Sequence, residues 1–257
     1  MNLDERVKEG WRISAEGYSG IVMNEYVQGE DKVWSDLILA QNPCAGKPDI
    51  LDVGCGPGFF PLILSQRGYS VTGIDASPDM IAQARKNTAL HGVLPRLEVM
   101  NSHETGFPDG SFDMIISRNV LWTLTKPLAA LEEWRRLMKN DGRLVIFDAD
   151  WFAGSRCPLL KKLEAEDLET YKARYGDQPL SYKKDEEDKA RGWRADMPLP
   201  KEIRPIWDSN ALRFMGFTNV RSEYISDRVY NERKKLLNRI KPMFMVCADK
   251  KSIPEML

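Results

Sequence analysis

Between residues 49 and 147, short apolar runs alternate with amphipathic segments of helical period, and this alternation restricts the fold more than any other feature. Five runs are predicted strands: 49–53, 70–75, 97–100, 112–117 and 143–147. Two further strand-like runs, 219–225 and 243–248, follow near the end. Strands separated by helices need right-handed crossovers, which put helices on both faces of a parallel sheet. We therefore predict an α/β fold with a seven-stranded, mostly parallel sheet and an antiparallel last strand.

The segments outside this alternation suggest four parts. Residues 1–48 are predicted to form an N-terminal helical cap, and residues 49–152 the core of the sheet. Residues 153–210 are charged and helical in composition but broken by glycines and prolines, so we expect a helical insert between strands five and six. Residues 211–257 are predicted to contain the strands that complete the sheet.

The insert carries five aromatic residues among its charges: Tyr171, Tyr175, Tyr182, Trp193 and Trp207. Such a composition suits a lid over an organic molecule, and it equally suits a dimer interface, so a homo-oligomer stays an open alternative. The mixed-charge run 183–189 is interpreted as a solvated helix face. The basic stretch 232–241 could meet an anionic substrate, although a solvated helix between the last two strands is favoured.

A glycine-spaced turn follows the first predicted strand, in the order Asp52-Val53-Gly54-Cys55-Gly56-Pro57-Gly58. Such a turn lets backbone N–H groups approach a ligand closely, although it can also exist without one. Asp75 ends the next strand, 21 residues after Gly54, where a carboxylate can accept both hydroxyl protons of a ribose. Phe59 stands where a dinucleotide fingerprint has its third glycine, so a ligand without phosphates is favoured over NAD.

From about residue 49 to residue 151, the chain resembles class I S-adenosylmethionine-dependent methyltransferases, especially the type 11 group that acts on small molecules. Four ordered segments carry the resemblance: 52–58, 73–80, 107–113 and 137–142. In the last of these, Asn140-Asp141 replaces the usual proline–glycine pair. The resemblance implies a Rossmann-like fold, S-adenosylmethionine as cofactor and S-adenosylhomocysteine as product.

The resemblance also implies roles for individual residues. Asp52 would face the donor's ammonium, Asp75 the ribose, and Ala76 and Met80 the adenine, although Met80 equally suits core packing. Asn101 stands where the family often has an aspartate that accepts from the adenine amino group, and an amide oxygen can still accept that bond. The full set implied to bind the cofactor is Asp52, Gly54, Cys55, Gly56, Gly58, Asp75, Ala76, Met80, Asn101, Ser102, Arg118 and Asn119.

The catalytic residues are not identifiable from the sequence, because methyl transfer from a sulfonium mainly requires alignment and exclusion of water. Three candidates are Arg118, His103 and Tyr18. Arg118 could bind an acceptor carboxylate through its planar fork, or form a surface salt bridge. His103 more commonly has a structural role. Tyr18 could close over the donor, or simply pack its helix against the sheet.

The acceptor is predicted to be a small organic molecule. An Asn/Asp-Pro-Pro-Tyr/Phe motif, typical of enzymes that methylate base amines or glutamine amides, is missing after strand four. The net charge of −1 argues against a nucleic-acid substrate. Three alternatives stay open: a methyltransferase acting on RNA or protein, supported by the stretch 232–241, a catalytically silent donor-binding partner, and, more remotely, a nicotinamide oxidoreductase.

Neither a membrane nor a metal is expected as a partner, and a cytoplasmic location is predicted. No apolar run approaches the ~20 residues that span a bilayer, and the first residues lack a secretory signal pattern. The four cysteines, Cys44, Cys55, Cys157 and Cys247, are far apart and lack matching histidines, which argues against a zinc site or a disulfide framework.

Overall fold

A computed structural model describes residues 1–176 and 192–251. Its seven strands are β1 (Asp49–Val53), β2 (Ser70–Asp75), β3 (Arg96–Val99), β4 (Phe112–Arg118), β5 (Met138–Asp148), β6 (Thr218–Tyr224) and β7 (Phe244–Asp249). They form one sheet in the order β3-β2-β1-β4-β5-β7-β6. Strands β1 to β5 run parallel, and β7 lies antiparallel between β5 and β6. The predicted seven-stranded, mostly parallel, Rossmann-like sheet is confirmed.

The helices are α1 (Leu3–Val27), α2 (Asp31–Leu39), α3 (Phe59–Gln66), α4 (Pro78–Leu90), α5 (Pro127–Leu137), α6 (Ala153–Arg156), α7 (Pro158–Tyr175), α8 (Ile206–Phe214), α9 (Ser226–Val229) and α10 (Glu232–Leu237). Short 3-10 turns occur at Leu121–Thr123, Gly192–Asp196 and Leu199–Lys201. Helix α4 begins as its sequence predicts: the Ser77 hydroxyl accepts from the Met80 N–H, and Pro78 takes the first helical position.

The sheet is covered by a hydrophobic layer on each face. Trp134 of α5 and Leu212 of α8 pack on one face, while Trp34 of α2 and Phe60 of α3 pack on the other, where they contact Phe147. Strands covered on both faces need apolar side chains at successive positions rather than at alternate ones. This requirement explains the near-continuous apolar runs in the sequence.

The start of β5 differs from the prediction. The strand begins at Met138 rather than at residue 143, because Met138 pairs with Phe112 before the ladder changes register and Arg143 pairs with Met114. Asp141 takes up the shift with a left-handed φ of 61°. Residues 140–142, which precede the predicted strand, therefore form an irregularity inside β5.

Behind β5, a buried arginine ties the insert to the sheet. Arg204 donates from Nη1 to Asp148 Oδ2 (2.7 Å) and from Nε to Asp208 Oδ2 (2.8 Å). The two carboxylates are fully buried and Arg204 is 4% exposed. Asp148 also accepts from the indole N–H of Trp151 at 2.9 Å. We call Arg204, Asp148 and Asp208 the arginine triad; it joins the end of β5 to the start of α8.

The aromatic residues of the insert do not share one surface. Trp207 packs against the core of the sheet, and Trp193 stacks on Trp122 with ring centroids 5.8 Å apart. Tyr171 and Tyr175 contact each other in α7. Tyr182 and the run 183–189 lie outside the described residues, and the division of the chain at 48, 152 and 210 stays a prediction.

The described residues contain neither a membrane-spanning helix nor a metal-binding cluster. Across 1–176 and 192–251, no helix is both long and apolar enough to cross a bilayer. The same residues hold no cluster of three or more histidine, cysteine, aspartate or glutamate side chains that could bind a metal ion.

Candidate functional site

The carboxyl ends of β1, β2 and β4 meet at a cleft, which we call the main cleft. It encloses about 880 Å³ of space between protein atoms, a volume that includes its open mouth. Nine of the twelve residues predicted to bind the cofactor line it: Gly54, Gly56, Asp75, Ala76, Met80, Asn101, Ser102, Arg118 and Asn119. The three catalytic candidates, Arg118, His103 and Tyr18, line it as well. The topology thus brings together residues from four separate loops and from α1.

A smaller cavity of about 300 Å³, the side cavity, adjoins the main cleft. The two share Tyr18, Gly54, Gly56 and Arg118, so they form two compartments of one site. Asp52 borders only the side cavity. The two compartments therefore differ in chemistry, because only the side cavity is bordered by Asp52.

Two of the predicted residues serve packing. Cys55 borders the side cavity, but its side chain is buried with Ile81, Ala84 and Leu97. Gly58 borders neither cavity: it has φ of 87°, and a Cβ added there would lie 2.9 Å from the Cβ of Ala84. The prediction that Gly58 contacts the cofactor therefore gains no support; the glycine lets α3 approach α4.

Gly54 is required by both conformation and space. Its φ is +67°, and an added Cβ would lie 2.4 Å from Cγ2 of Val120. Gly56 likewise has a left-handed φ, of +51°. Both glycines border the main cleft and the side cavity, so a ligand there would lie next to their backbone.

The Asp75 carboxylate is held in place by backbone donors. Its Oδ2 accepts from the Gly56 N–H at 3.0 Å, and its Oδ1 accepts from the Ser77 N–H at 2.9 Å. Each oxygen keeps a further lone pair, so the group can still accept two hydroxyl protons. Burial raises the pKa of Asp75 to about 6, with the two N–H groups acting in the opposite direction.

Asp52 is the second buried carboxylate of the site and is 2% exposed. Burial raises the pKa of Asp52 to about 8; the Arg118 charge opposes this rise and the Asp75 charge adds to it. A cationic group entering the side cavity would favour the ionised form of Asp52.

Arg118 does not form the surface salt bridge considered from the sequence. Its side chain is 10% exposed, and Nη1 donates to Glu25 Oε2 at 2.7 Å. The guanidinium carbon lies 4.8–4.9 Å from the ring centroids of Trp34, Phe59 and Phe60. Burial alone would raise the pKa of Glu25, but Arg118 and Lys234 outweigh it and keep that pKa below its ordinary value.

The loop after β3 forms another wall of the main cleft. Asn101 Oδ1 accepts from the His103 N–H at 3.3 Å, so one lone pair of that amide oxygen is used within the loop. The Ser102 carbonyl accepts from the indole N–H of Trp134 at 2.9 Å, which fixes the loop to the core. Met80 is 2% exposed, as core packing requires, and it also lines the cleft; its contact with an adenine stays a prediction.

Helix α1 lies over the mouth of the main cleft. Asp4, Lys8 and Trp11 line the cleft from this helix. Asp4 accepts a hydrogen bond from the Thr125 hydroxyl, and the Trp11 ring packs edge-on against Tyr18 with centroids 5.4 Å apart. The helix therefore shields the site from solvent and contributes apolar surface to it.

Comparisons with known proteins agree with this geometry. Residues 51–146 match a family model described as a methyltransferase domain. A ubiquinone/menaquinone biosynthesis C-methyltransferase from Citrifermentans bemidjiense is 29% identical over 140 residues, which cover 52% of this chain and 58% of that protein. The chain spans about half the length of the curated relatives it matches.

Solved structures agree on the fold. A phosphoethanolamine N-methyltransferase of Haemonchus contortus with phosphomonomethylethanolamine and S-adenosylhomocysteine has a TM-score of 0.57 at 17% identity, over 84% of this chain and 52% of that one. The magnesium protoporphyrin IX methyltransferase of Synechocystis with S-adenosylhomocysteine has a TM-score of 0.54 at 19% identity. The match covers 90% of this chain and 85% of that one. The resemblance to a methyltransferase domain is confirmed over residues 51–146, and the solved structures agree with the predicted Rossmann-like fold.

Proposed function

We propose that this chain, with its methyltransferase domain at residues 51–146, transfers the methyl group of S-adenosylmethionine to a small organic acceptor. The observation that carries the proposal is the Asp75 carboxylate. It is oriented by two backbone N–H groups at the end of β2, and it lines the main cleft next to Gly54 and Gly56. A carboxylate so oriented can accept both hydroxyls of a ribose, which suits an adenosine ligand.

The donor's adenosine would occupy the main cleft and its amino-acid part the side cavity. Ala76, Met80, Asn101 and Ser102 would surround the adenine. Gly54 and Gly56 would lie along the methionine part, because these residues border both cavities. Asp52 would then face the ammonium, a charge that would offset the burial of this carboxylate.

Tyr18 borders both cavities, so it would lie next to the junction between adenosine and amino acid. When bound there, the donor supplies an activated methyl group on sulfur, which an acceptor lone pair attacks in line as the carbon–sulfur bond breaks. The protein's part is to align the acceptor and exclude water, and α1 with Trp11 and Tyr18 provides the cover. A general base helps when the acceptor is a hydroxyl or an acidic C–H, and it is dispensable for a thiolate or a neutral amine.

The acceptor would enter between α1 and the loop after β4. Val7, Trp11 and Leu124 offer apolar surface there, and Asp4 and Lys8 add polar groups. This lining suits a small organic molecule with an apolar body. A methyltransferase acting on small molecules is therefore favoured over one acting on RNA or protein.

The basic stretch 232–241 gives little support to an RNA substrate. Four of its cations have carboxylate partners: Lys234 with Glu25 and Glu30, Lys235 with Asp227 and Glu232, Arg239 with Asp167, and Lys241 with Glu164. Cations already paired with carboxylates have less charge to offer to phosphates.

The proposal is tested with S-adenosylmethionine that carries a labelled methyl group and a cell extract split into small-molecule and macromolecular fractions. We expect label in the small-molecule fraction, and none with Asp75→Asn at the same donor concentration. Label in the macromolecular fraction would overturn the acceptor class. Binding of S-adenosylhomocysteine without any transfer would instead indicate a catalytically silent donor-binding protein.

Donor binding should strengthen as the pH rises from 6 to 8. Asp52 has its pKa raised to about 8 and Asp75 to about 6, so both bind protons in the free protein below those values. The ammonium and the ribose hydroxyls favour the ionised carboxylates, so binding must release protons. With both carboxylates ionised in the complex, we expect affinity for S-adenosylhomocysteine to rise by up to about 100-fold over this range, mostly through Asp52.

Isothermal titration calorimetry in two buffers of different ionisation enthalpy measures both the affinity and the protons released. Asp52→Asn should flatten the rise above pH 6.5 while leaving donor binding measurable. An affinity that stays constant or falls between pH 6 and 8 in the unmodified protein would contradict the assignment of both carboxylates.

A further inference from the structure

We infer that Arg118 is the residue that recognises the carboxylate of the donor's methionine part, and that Glu25 is the positioning residue that orients it. The inference rests on the proposed function, since it concerns the donor's placement in the side cavity. It replaces the hypothesis that Arg118 binds a carboxylate of the acceptor.

The location of Arg118 supports the donor rather than the acceptor. Arg118 borders the side cavity, behind Gly54 and Gly56, as well as the main cleft. The residues of α1 that cover the mouth, among them Asp4 and Lys8, line only the main cleft. An acceptor entering at that mouth would meet the adenosine compartment first, whereas the donor's amino-acid end would reach Arg118.

Charge complementarity points the same way. An α-amino acid brings one ammonium and one carboxylate, and the side cavity has one group for each. Asp52 is its buried carboxylate, and among the described residues that border this cavity Arg118 is the only cation. A buried charge needs a partner of opposite sign, so a zwitterion is the ligand that leaves neither end uncompensated.

Arg118 has donors left for a second carboxylate. A guanidinium carries five N–H donors, and the ion pair with Glu25 is made through Nη1. Glu25 is also shared: Lys234 lies 3.3 Å from its Oε1 and 2.8 Å from Glu30. Because Lys234 neutralises part of the Glu25 charge, Arg118 keeps positive charge for a ligand.

The orientation of Arg118 is fixed before a ligand arrives. Three aromatic rings surround the guanidinium at 4.8–4.9 Å, and Glu25 anchors one of its edges. A planar fork restrained in this way loses little freedom when it binds a carboxylate. Lysine would keep the charge but lose both the fork and the stacking, so the two residues are not interchangeable here.

Two ligands that differ in a single group test the inference: S-adenosylhomocysteine and its decarboxylated analogue, which keeps the ammonium. By calorimetry, the unmodified protein should bind S-adenosylhomocysteine about 10- to 100-fold more tightly than the analogue, the range for a charge-assisted hydrogen bond. Arg118→Gln should reduce this preference to less than about threefold, because it should weaken the binding of S-adenosylhomocysteine and leave the binding of the analogue unchanged. Arg118→Lys should give an intermediate preference.

Glu25→Gln tests the positioning role, because it should reduce the preference for the carboxylate without abolishing binding of the analogue. Arg228→Gln is the matched control: Arg228 forms an exposed pair with Glu223 and should leave the preference unchanged. If circular dichroism shows that Arg118→Gln does not fold, the inference is tested with the other two proteins. The unmodified protein should then prefer S-adenosylhomocysteine over the analogue, and Arg118→Lys should show a smaller preference.

The outcomes separate the two proposals. Equal affinity of the unmodified protein for both ligands, or an equal loss for both in Arg118→Gln, overturns the role of Arg118 and leaves donor binding intact. Failure of the unmodified protein to bind either ligand counts against the proposed function itself.

Discussion

Replacement of Asp75 by asparagine is expected to weaken binding of S-adenosylhomocysteine by about 100-fold. The carboxylate accepts from the N–H groups of Gly56 and Ser77 and, in the proposed complex, from two ribose hydroxyls. Asparagine has only one acceptor oxygen, so its NH₂ group would face one backbone donor and could not accept from a hydroxyl. One charge-assisted bond to the ribose is lost, at about 2 kcal/mol, and the other becomes a neutral bond about 1 kcal/mol weaker, which together give this factor.

Calorimetric titration measures the effect, and thermal unfolding checks that the variant is folded. Asp79→Asn is the matched control, because Asp79 lies in the first turn of α4, the helix that follows Asp75, but is exposed and does not line the cleft. A loss of less than about threefold for Asp75→Asn would remove the observation on which the proposed function stands.

The second large effect concerns stability. Arg204→Met should lower the free energy of unfolding by about 3–5 kcal/mol, the range found when one partner of a buried ion pair is removed. The substitution leaves Asp148 and Asp208, both fully buried, without their guanidinium partner. Urea unfolding followed by tryptophan fluorescence measures the change.

Two further variants show whether the loss comes from unpaired charge. The triple variant Arg204→Met, Asp148→Asn, Asp208→Asn removes all three charges of the arginine triad and should recover part of the stability. Arg213→Met, on an exposed position of the same helix α8, should change the free energy of unfolding by less than about 0.5 kcal/mol. A loss below about 1 kcal/mol for Arg204→Met would mean that water or a rearranged side chain compensates the triad.

Most of the fold was predictable because local patterns determine it. The predicted start and end of β1 and β2 agree with the structure, since buried parallel strands carry their apolar signal in consecutive residues. The start of β5 was not predictable in this way. It depends on pairing between Met138 and Phe112, which lie in different segments, and on the shift of register at Asp141.

The candidate site was likewise predictable only where local sequence patterns determine it. Gly54, Gly56 and Asp75 were predicted because each follows a strand and belongs to a short motif, and the topology then brings the ends of those strands together. Glu25 was missed, because the partner of Arg118 lies 93 residues earlier in a helix whose own pattern gives no sign of the pairing. The arginine triad was missed for the same reason.

The Glu25–Arg118 pair also limits how this domain can be transplanted. The family match covers residues 51–146, so it includes Arg118 but neither Glu25 nor Lys234. A chimera that grafts only the matched segment onto another protein's flanks would inherit a buried cation without its counter-charge. Residues outside the shared segment therefore co-determine the electrostatics of the donor site, and exchanges between relatives should carry α1 and α10 together with the core.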